Sequence, residues 1–312
     1  MNAFLFPGQA SQDVGMGQDL YERFPEAKEL FDAADELLGF ALTELCFSGP
    51  MEALSQTSVT QPAVYVHSVI VARLLAARGL SPDVVAGHSL GEYSALTAAG
   101  VLDFQQGLSL VQERGRLMQE AGRNRPGAMT AILGLEDEVV VRLCDETGPA
   151  VVPANFNAPG QVVISGEADA VVQASEAALA AGASKVVSLP VTGAFHSPLM
   201  EPAARALASR LEAAEFAPPT VPVVANVTAA PESDPVKLRR LLVDQVTAPV
   251  RWTESILALA GMGVDNAIEA GPGAVLRGLG RRITRNIKIT LAGTADAIDG
   301  LAGSQEGTAP HG

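Results

Sequence analysis

The chain has 312 residues, 48% apolar and 4% aromatic, with 21 Lys+Arg against 35 Asp+Glu and a formal net charge of −14. That is enough apolar material for a sizeable core in one large domain or two subdomains. So acidic a chain is a poor partner for nucleic acid or anionic membranes, both of which need clustered cations. Its two cysteines, Cys46 and Cys144, form no disulfide or zinc pattern, and the reducing cytoplasm is the expected home. The opening MNAFLFPGQA has no basic residues and is interrupted by Pro7-Gly8, unlike a signal peptide. No run approaches 18 uninterrupted apolar residues, so no membrane span is expected.

In chain order, residues 3–6 read as a buried strand ended by Pro-Gly. A helical region follows over 17–38. Residues 61–78 form a long helix, with apolar side chains at Val66, Val69, Ile70, Leu74 and Ala77. Residues 84–86 are a short strand, followed by helices over 90–99 and 104–121. Strand, turn and helix in repetition predict a parallel sheet with helices on both faces. The middle differs. Strand 128–135, helix 136–146, strands 151–155 and 161–165, helix 168–181 and strand 185–191 follow the order βαββαβ of a ferredoxin-like unit. Helix 201–214, strand 221–226, helices 235–246 and 252–261, strand 266–269 and helix 273–284 then resume the first pattern. The predicted fold is α/β: a hydrolase-like parallel-sheet core over 1–123 and 190–302, a ferredoxin-like small subdomain inserted over 124–189, and a small, polar, disordered tail over 303–312.

GHSLG at 87–91 lies between a strand and a helix, the setting of a nucleophile elbow. The sharp turn lifts the Ser89 hydroxyl off the sheet, and the following helix aims its N-terminus at it. The Leu90 N–H is the natural oxyanion donor. A glycine-rich turn with an incidental serine is the bland alternative.

A serine nucleophile needs a base. Of the four histidines, His311 lies in the tail and His67 inside a long helix. His88 adjoins Ser89, and the elbow turns its ring away. His196, in TGAFHSPLM, follows a strand and precedes a helix, where α/β sheets build their sites. It is the predicted base. No carboxylate stands out as a third member, and a backbone carbonyl can orient the ring instead, so a Ser–His dyad is expected. Arg114, in LVQERGRLMQ, reads either as a surface arginine or as the bidentate partner of a substrate carboxylate.

FPGQASQ, GHSLGEYSAL, VQERGRLMQ, NAPGQVVISG, AFHSPLM, QVTAPVRW and EAGPGAVLRGL occur in that order. Together they resemble the malonyl-CoA:acyl carrier protein transacylases, the acyltransferases of fatty acid and polyketide synthesis, over the chain to about Arg285. The resemblance implies that Ser89 is acylated and His196 is its base. It implies that Arg114 binds the malonyl carboxylate and that Gln9 supplies a second oxyanion contact beside the Leu90 N–H. Gln245, or the backbone near it, would orient His196. Asn155 and Phe195 would line the acyl pocket, with the Phe195 ring crowding an α-methyl group. Ala10 departs from the glycine usual in the family. The implied reaction is ping-pong transfer of malonyl from malonyl-CoA to the phosphopantetheine thiol of an acyl carrier protein, with no metal or tightly bound cofactor. Carrier proteins are acidic, so a local basic patch is required. Arg277, Arg281, Arg282, Arg285 and Lys288 supply one, or are merely a solvated helix end. A serine thioesterase, a non-catalytic acyl-binding module, a stand-alone polyketide acyltransferase and a malonate decarboxylase subunit are the alternatives.

Overall fold

The computed structural model describes residues 1–191 and 193–306. Strand β1 (Asn2–Phe6) shows how the core is divided: Ala3 and Leu5 face one side, Phe4 and Phe6 the other, all buried. Such a strand, apolar on both faces, belongs at the centre of a covered sheet. Helices α1 (Gln18–Arg23), α2 (Pro25–Leu38), α3 (Leu42–Ser48), α4 (Met51–Leu54) and α5 (Thr57–Ala77) follow. Then come β2 (Val84–Gly87), α6 (Gly91–Ala98) and α7 (Phe104–Asn124). The single predicted helix over 17–38 is two, because Phe24 precedes Pro25 and is driven extended (φ −117°, ψ 116°).

The second unit comprises β3 (Gly127–Leu133), α8 (Asp137–Thr147), β4 (Val151–Ala158), β5 (Gln161–Glu167), α9 (Ala168–Ala180) and β6 (Lys185–Ser188). Its antiparallel sheet has the order β4-β5-β3-β6. Helices α8 and α9 cover one face through Val140, Cys144, Val171 and Ala174. The other face, with Met129, Ala131 and Val163, joins the large core. The strand predicted over 185–191 stops at Ser188. Leu189 still donates its N–H to the Met129 carbonyl at 2.9 Å, but Pro190 has no N–H for the ladder, and residues 189–191 line a cavity.

A 3₁₀ turn (Pro198–Met200) leads to α10 (Glu201–Ala213), β7 (Val223–Val224), β8 (Pro231–Glu232), α11 (Pro235–Gln245), α12 (Trp252–Gly261), β9 (Asn266–Glu269), α13 (Val275–Ile283), β10 (Lys288–Leu291) and α14 (Ala295–Glu306). The large sheet has the order β10-β9-β1-β2-β7-β8, parallel except for the β7–β8 pair. The strand expected over 221–226 is thus reduced to two residues. Strands β8 and β10 and helices α3, α4 and α14 were not anticipated. Residues 303–306 continue α14 instead of starting a loose tail, and 307–312 lie outside the described residues.

Helix α5 is long and apolar enough to cross a bilayer by those measures alone. Here it is a core helix, with every residue from Thr60 to Ala72 buried against the large sheet and its neighbours. On the opposite face, Trp252 heads α12, fully buried beneath β1 and β2, its ring edge-on to His88 at 5.4 Å.

Trp252→Ala should therefore cost about 3–5 kcal/mol, whereas Leu257→Ala on the half-exposed side of the same helix should cost little. Urea unfolding of the two variants checks the contrast.

Candidate active site

The parallel strands β1, β2 and β7 end on the same edge, and the loops beyond them meet. The elbow sits after β2. A Cβ on Gly87 would lie 2.0 Å from the Gly91 carbonyl carbon, and one on Gly91 would lie 2.1 Å from the Phe6 oxygen. Backbone fills both spaces, so the turn requires its two glycines. Ser89 is held at φ 51°, and His196 at φ 57°. Both side chains stand on left-handed backbone that L-residues seldom adopt. Ala10, at φ 78°, is in the same region, where a glycine would be relaxed.

Asn226, just beyond β7, clamps the elbow from both sides. Its Oδ1 accepts the Ser89 N–H at 2.7 Å, and its Nδ2 donates to the Gly87 oxygen at 2.6 Å. The Gly91 and Glu92 N–H groups donate to His88 and Ser89 carbonyls. Among the described residues the Leu90 N–H, at the start of α6, has no carbonyl one turn back to take it.

Ser89 Oγ lies 2.8 Å from His196 Nε2. His196 Nδ1 faces two carbonyls, Gln245 O at 2.8 Å and Ala248 O at 3.2 Å. Only an N–H can satisfy those acceptors, so the proton sits on Nδ1 and the Nε2 lone pair faces the serine. Burial, with the Arg114 charge beside it, pushes the ring's pKa down to about 3. His88 turns the other way and pairs with Asn157 Oδ1 at 2.8 Å. His67 is fully buried in α5, where burial lowers it to about 4.

Arg114 is not on the surface. Asp103 caps α7 by accepting the Gln106 N–H at 2.7 Å, which starts the helix and fixes its phase. Val111, Arg114 and Met118 then fall on one buried stripe. The guanidinium donates to Gln61 Oε1 at 2.7 Å, Gln245 Oε1 at 2.9 Å and Ser89 Oγ at 3.1 Å. Arg114 is 1% exposed, and no carboxylate lies within ion-pair distance of it among the described residues. Its charge is held by neutral oxygens, an arrangement that leaves room for an outside anion.

These groups open into a cavity of about 220 Å³. Gln9 lines it from the β1 loop and reaches Thr57 Oγ1 at 3.4 Å. Asn155 enters from β4, where the strand pairs with Val250, and Phe195 from the loop before the base. Met118, Met129 and Leu189 make an apolar wall. Ser89, Leu90, His196, Arg114, Gln9, Asn155, Phe195 and Gln245 thus converge on one place. Two members of the basic cluster stand elsewhere. Arg282 is engaged with Gln161 and the Pro159 oxygen of the β4–β5 turn. Lys288 opens β10 in register with Asn266 and Asn2, at the amino edge of the sheet, away from Ser89. Gln61, Glu92 and Asn226 were missed. The signal for Asn226 was a polar residue directly after the apolar run Val223–Ala225; for Glu92 it was a charge inside an otherwise uncharged helix.

The His196 ring should remain neutral from pH 8 to pH 5 in an NMR titration of the histidine ring protons. Its folded pKa lies below the ordinary 6.5, so the fold favours the neutral form. The stability this gives is complete above about pH 6.5 and declines as pH falls from there towards 3. Normal titration near 6.5 would contradict the buried geometry.

Comparison with known proteins agrees with this arrangement. The acyl transferase domain family matches residues 3–297. A malonyl CoA-acyl carrier protein transacylase of Bacillus subtilis is 45% identical over 300 residues, 95% of each chain. One from Escherichia coli K12 is 47% identical over 284 residues, 90% of this chain and 92% of the other. Among solved structures, a malonyl-transacylase in complex with a type II polyketide synthase acyl-carrier protein superposes with TM-score 0.94 at 44% identity, covering 97% of this chain and 99% of that one. An acyl carrier protein S-malonyltransferase from Vibrio cholerae gives 0.93 at 46%, covering 96% and 99%. Similarity of this depth, running from the first strand into the last helix and spanning nearly the whole of each relative, means that the chain belongs to the acyl transferase family, among the malonyl CoA-acyl carrier protein transacylases.

Proposed function

We propose that this protein transfers a malonyl group from malonyl-CoA to the phosphopantetheine thiol of an acyl carrier protein, through a malonyl ester on Ser89. The observation that carries the reading is Arg114, a buried cation beside the serine with only neutral partners. A three-carbon diacid bound at Ser89 places its free carboxylate within reach of the guanidinium. An acetyl group leaves the cation without an anion, which is unfavourable in a buried site.

In the first half-reaction Ser89 Oγ attacks the thioester carbonyl while its proton passes to His196 Nε2. The Leu90 N–H and Gln9 stabilise the tetrahedral oxyanion. The C–S bond breaks, and the CoA sulfur leaves with the proton from His196. In the second half the carrier thiol gives its proton to His196 and attacks the ester. The Ser89 oxygen then leaves and recovers the proton. The Gln245 carbonyl holds the imidazole throughout. Pairing Arg114 with the malonyl carboxylate offsets one cause of the low His196 pKa, so the base strengthens when the correct acyl group is present.

Phe195 forms part of the acyl wall, and a methylmalonyl group meets the ring with its α-methyl. A hydrophobic wall rejects one methyl by about 1–3 kcal/mol, a partial selectivity. The chemistry is carried by protein side chains and requires no cofactor. Two buried free thiols suit a cytoplasmic location. For the carrier, Arg277, Arg281 and the exposed Arg285 are the cations left for an acidic partner once Arg282 and Lys288 are set aside, and the first two share one face of α13.

Intact mass after mixing with malonyl-CoA alone should show a malonyl adduct, absent in Ser89→Ala. Free CoA with no adduct in the wild type would favour a thioesterase. Arg114→Ala should lower kcat/KM for malonyl-CoA by 10²-fold or more while leaving transfer from acetyl-CoA equal or higher. Reversal of Arg277 and Arg281 to Glu should raise KM for the carrier at low salt and leave adduct formation from malonyl-CoA unchanged. An unchanged KM would remove α13 from the docking surface.

A further inference from the structure

Glu92 lies in the first turn of α6, three residues after the nucleophile, and is fully buried. A buried carboxylate this close to a reacting serine needs a reason. Its Oε2 accepts two hydrogen bonds, from Gln245 Nε2 at 2.7 Å and from the Asn226 N–H at 3.1 Å. Its Oε1 has no hydrogen-bond partner among the described residues. Glu92 makes no direct contact with Ser89 Oγ, His196 or the Arg114 nitrogens within hydrogen-bond distance.

Both donors lead to the reacting atoms. The Gln245 amide is a bridge: Nε2 is held by Glu92 and by the Ser89 carbonyl at 2.9 Å, while Oε1 accepts from Arg114 at 2.9 Å. One amide thus lies between a carboxyl group and a guanidinium, with its dipole pointing the favourable way at each end. Asn226 is the clamp on the strained elbow.

We infer that Glu92 is a positioning residue for acyl selection: through the Gln245 amide it fixes where the Arg114 guanidinium stands relative to Ser89. The inference rests on the malonyl-transfer reading above. Burial raises the Glu92 carboxyl to about 7, so it is not a dedicated anion at neutral pH. What the bridge needs is an acceptor oxygen at the right reach. Gln preserves that oxygen and puts its NH₂ where Oε1 stands. Asp keeps the carboxylate but is one methylene short.

Wild type, Glu92→Gln and Glu92→Asp are compared for acyl-enzyme formation from malonyl-CoA and from acetyl-CoA, with a thermal melt of each. A purely structural role scales both acyl donors alike, whereas misplacing Arg114 bears far more on malonyl, whose carboxylate it pairs, than on acetyl. Glu92→Asp should lose at least ten-fold in the malonyl-to-acetyl ratio of kcat/KM, and Glu92→Gln should stay within about three-fold of wild type. Should Glu92→Asp fail to fold, Gln245→Asn shortens the same bridge from its other end and should give the same selective loss. A ratio unchanged in the folded shortened variant, or an equal loss for both donors, overturns the inference, and so does a Glu92→Gln that loses the ratio. Failure of the wild type to form a malonyl adduct at all is a separate result, and it removes the functional reading itself.

Discussion

A buried guanidinium with no carboxylate at ion-pair distance among the described residues is the constraint around which this site is organised. Arg114 stands on the apolar stripe of α7, and three neutral oxygens hold it, from Gln61, Gln245 and Ser89. Each comes from a different element: α5, the end of α11 and the elbow. The helices must therefore pack in one register for the charge to be tolerated at all. Removing an acceptor would leave a desolvated charge with too few partners, a larger penalty than the loss of an ordinary hydrogen bond. The same arrangement suits a substrate that brings its own anion, since binding then completes the shell.

The second constraint is backbone shape. Ser89 and His196, the two groups proposed to exchange a proton, both occupy left-handed backbone. Such positions persist only where surrounding structure over-determines them. For Ser89 the determinants are the paired glycines and the Asn226 clamp; for His196 they are the two carbonyls on Nδ1. The antiparallel sheet adds the roof. Its face opposite α8 and α9 carries Met129 over the cavity, and β4 is tied to residue 250 and to His88 through Asn157.

Much of this was legible in the chain because local chemistry left few choices. G-x-S-x-G between strand and helix announces an elbow, since nothing larger than glycine fits where backbones touch. Four histidines, one in a loop after a strand, left a short search for a base. The βαββαβ order announced the second sheet. The harder parts were decided by contacts remote in sequence. Leu189–Val191 look like strand by composition, yet they leave the sheet at Pro190 and line the cavity. Lys288 looks like part of one basic patch beside the site, yet it opens β10 at the amino edge of the sheet, away from Ser89.

Sequence by itself therefore determined the element order, the turn at Ser89, the loop position of His196 and the family resemblance. Each depends on residues adjacent in the chain or on motifs read in order. Tertiary structure alone decided that Arg114 is buried and not a surface cation. It also decided that Gln245 serves through its carbonyl and its side chain at once, and that Glu92, Asn226 and Gln61 belong to the site. Those outcomes depend on which faces of distant helices meet. A polar residue becomes a partner or a liability only when burial brings a matching donor or acceptor within about 3 Å.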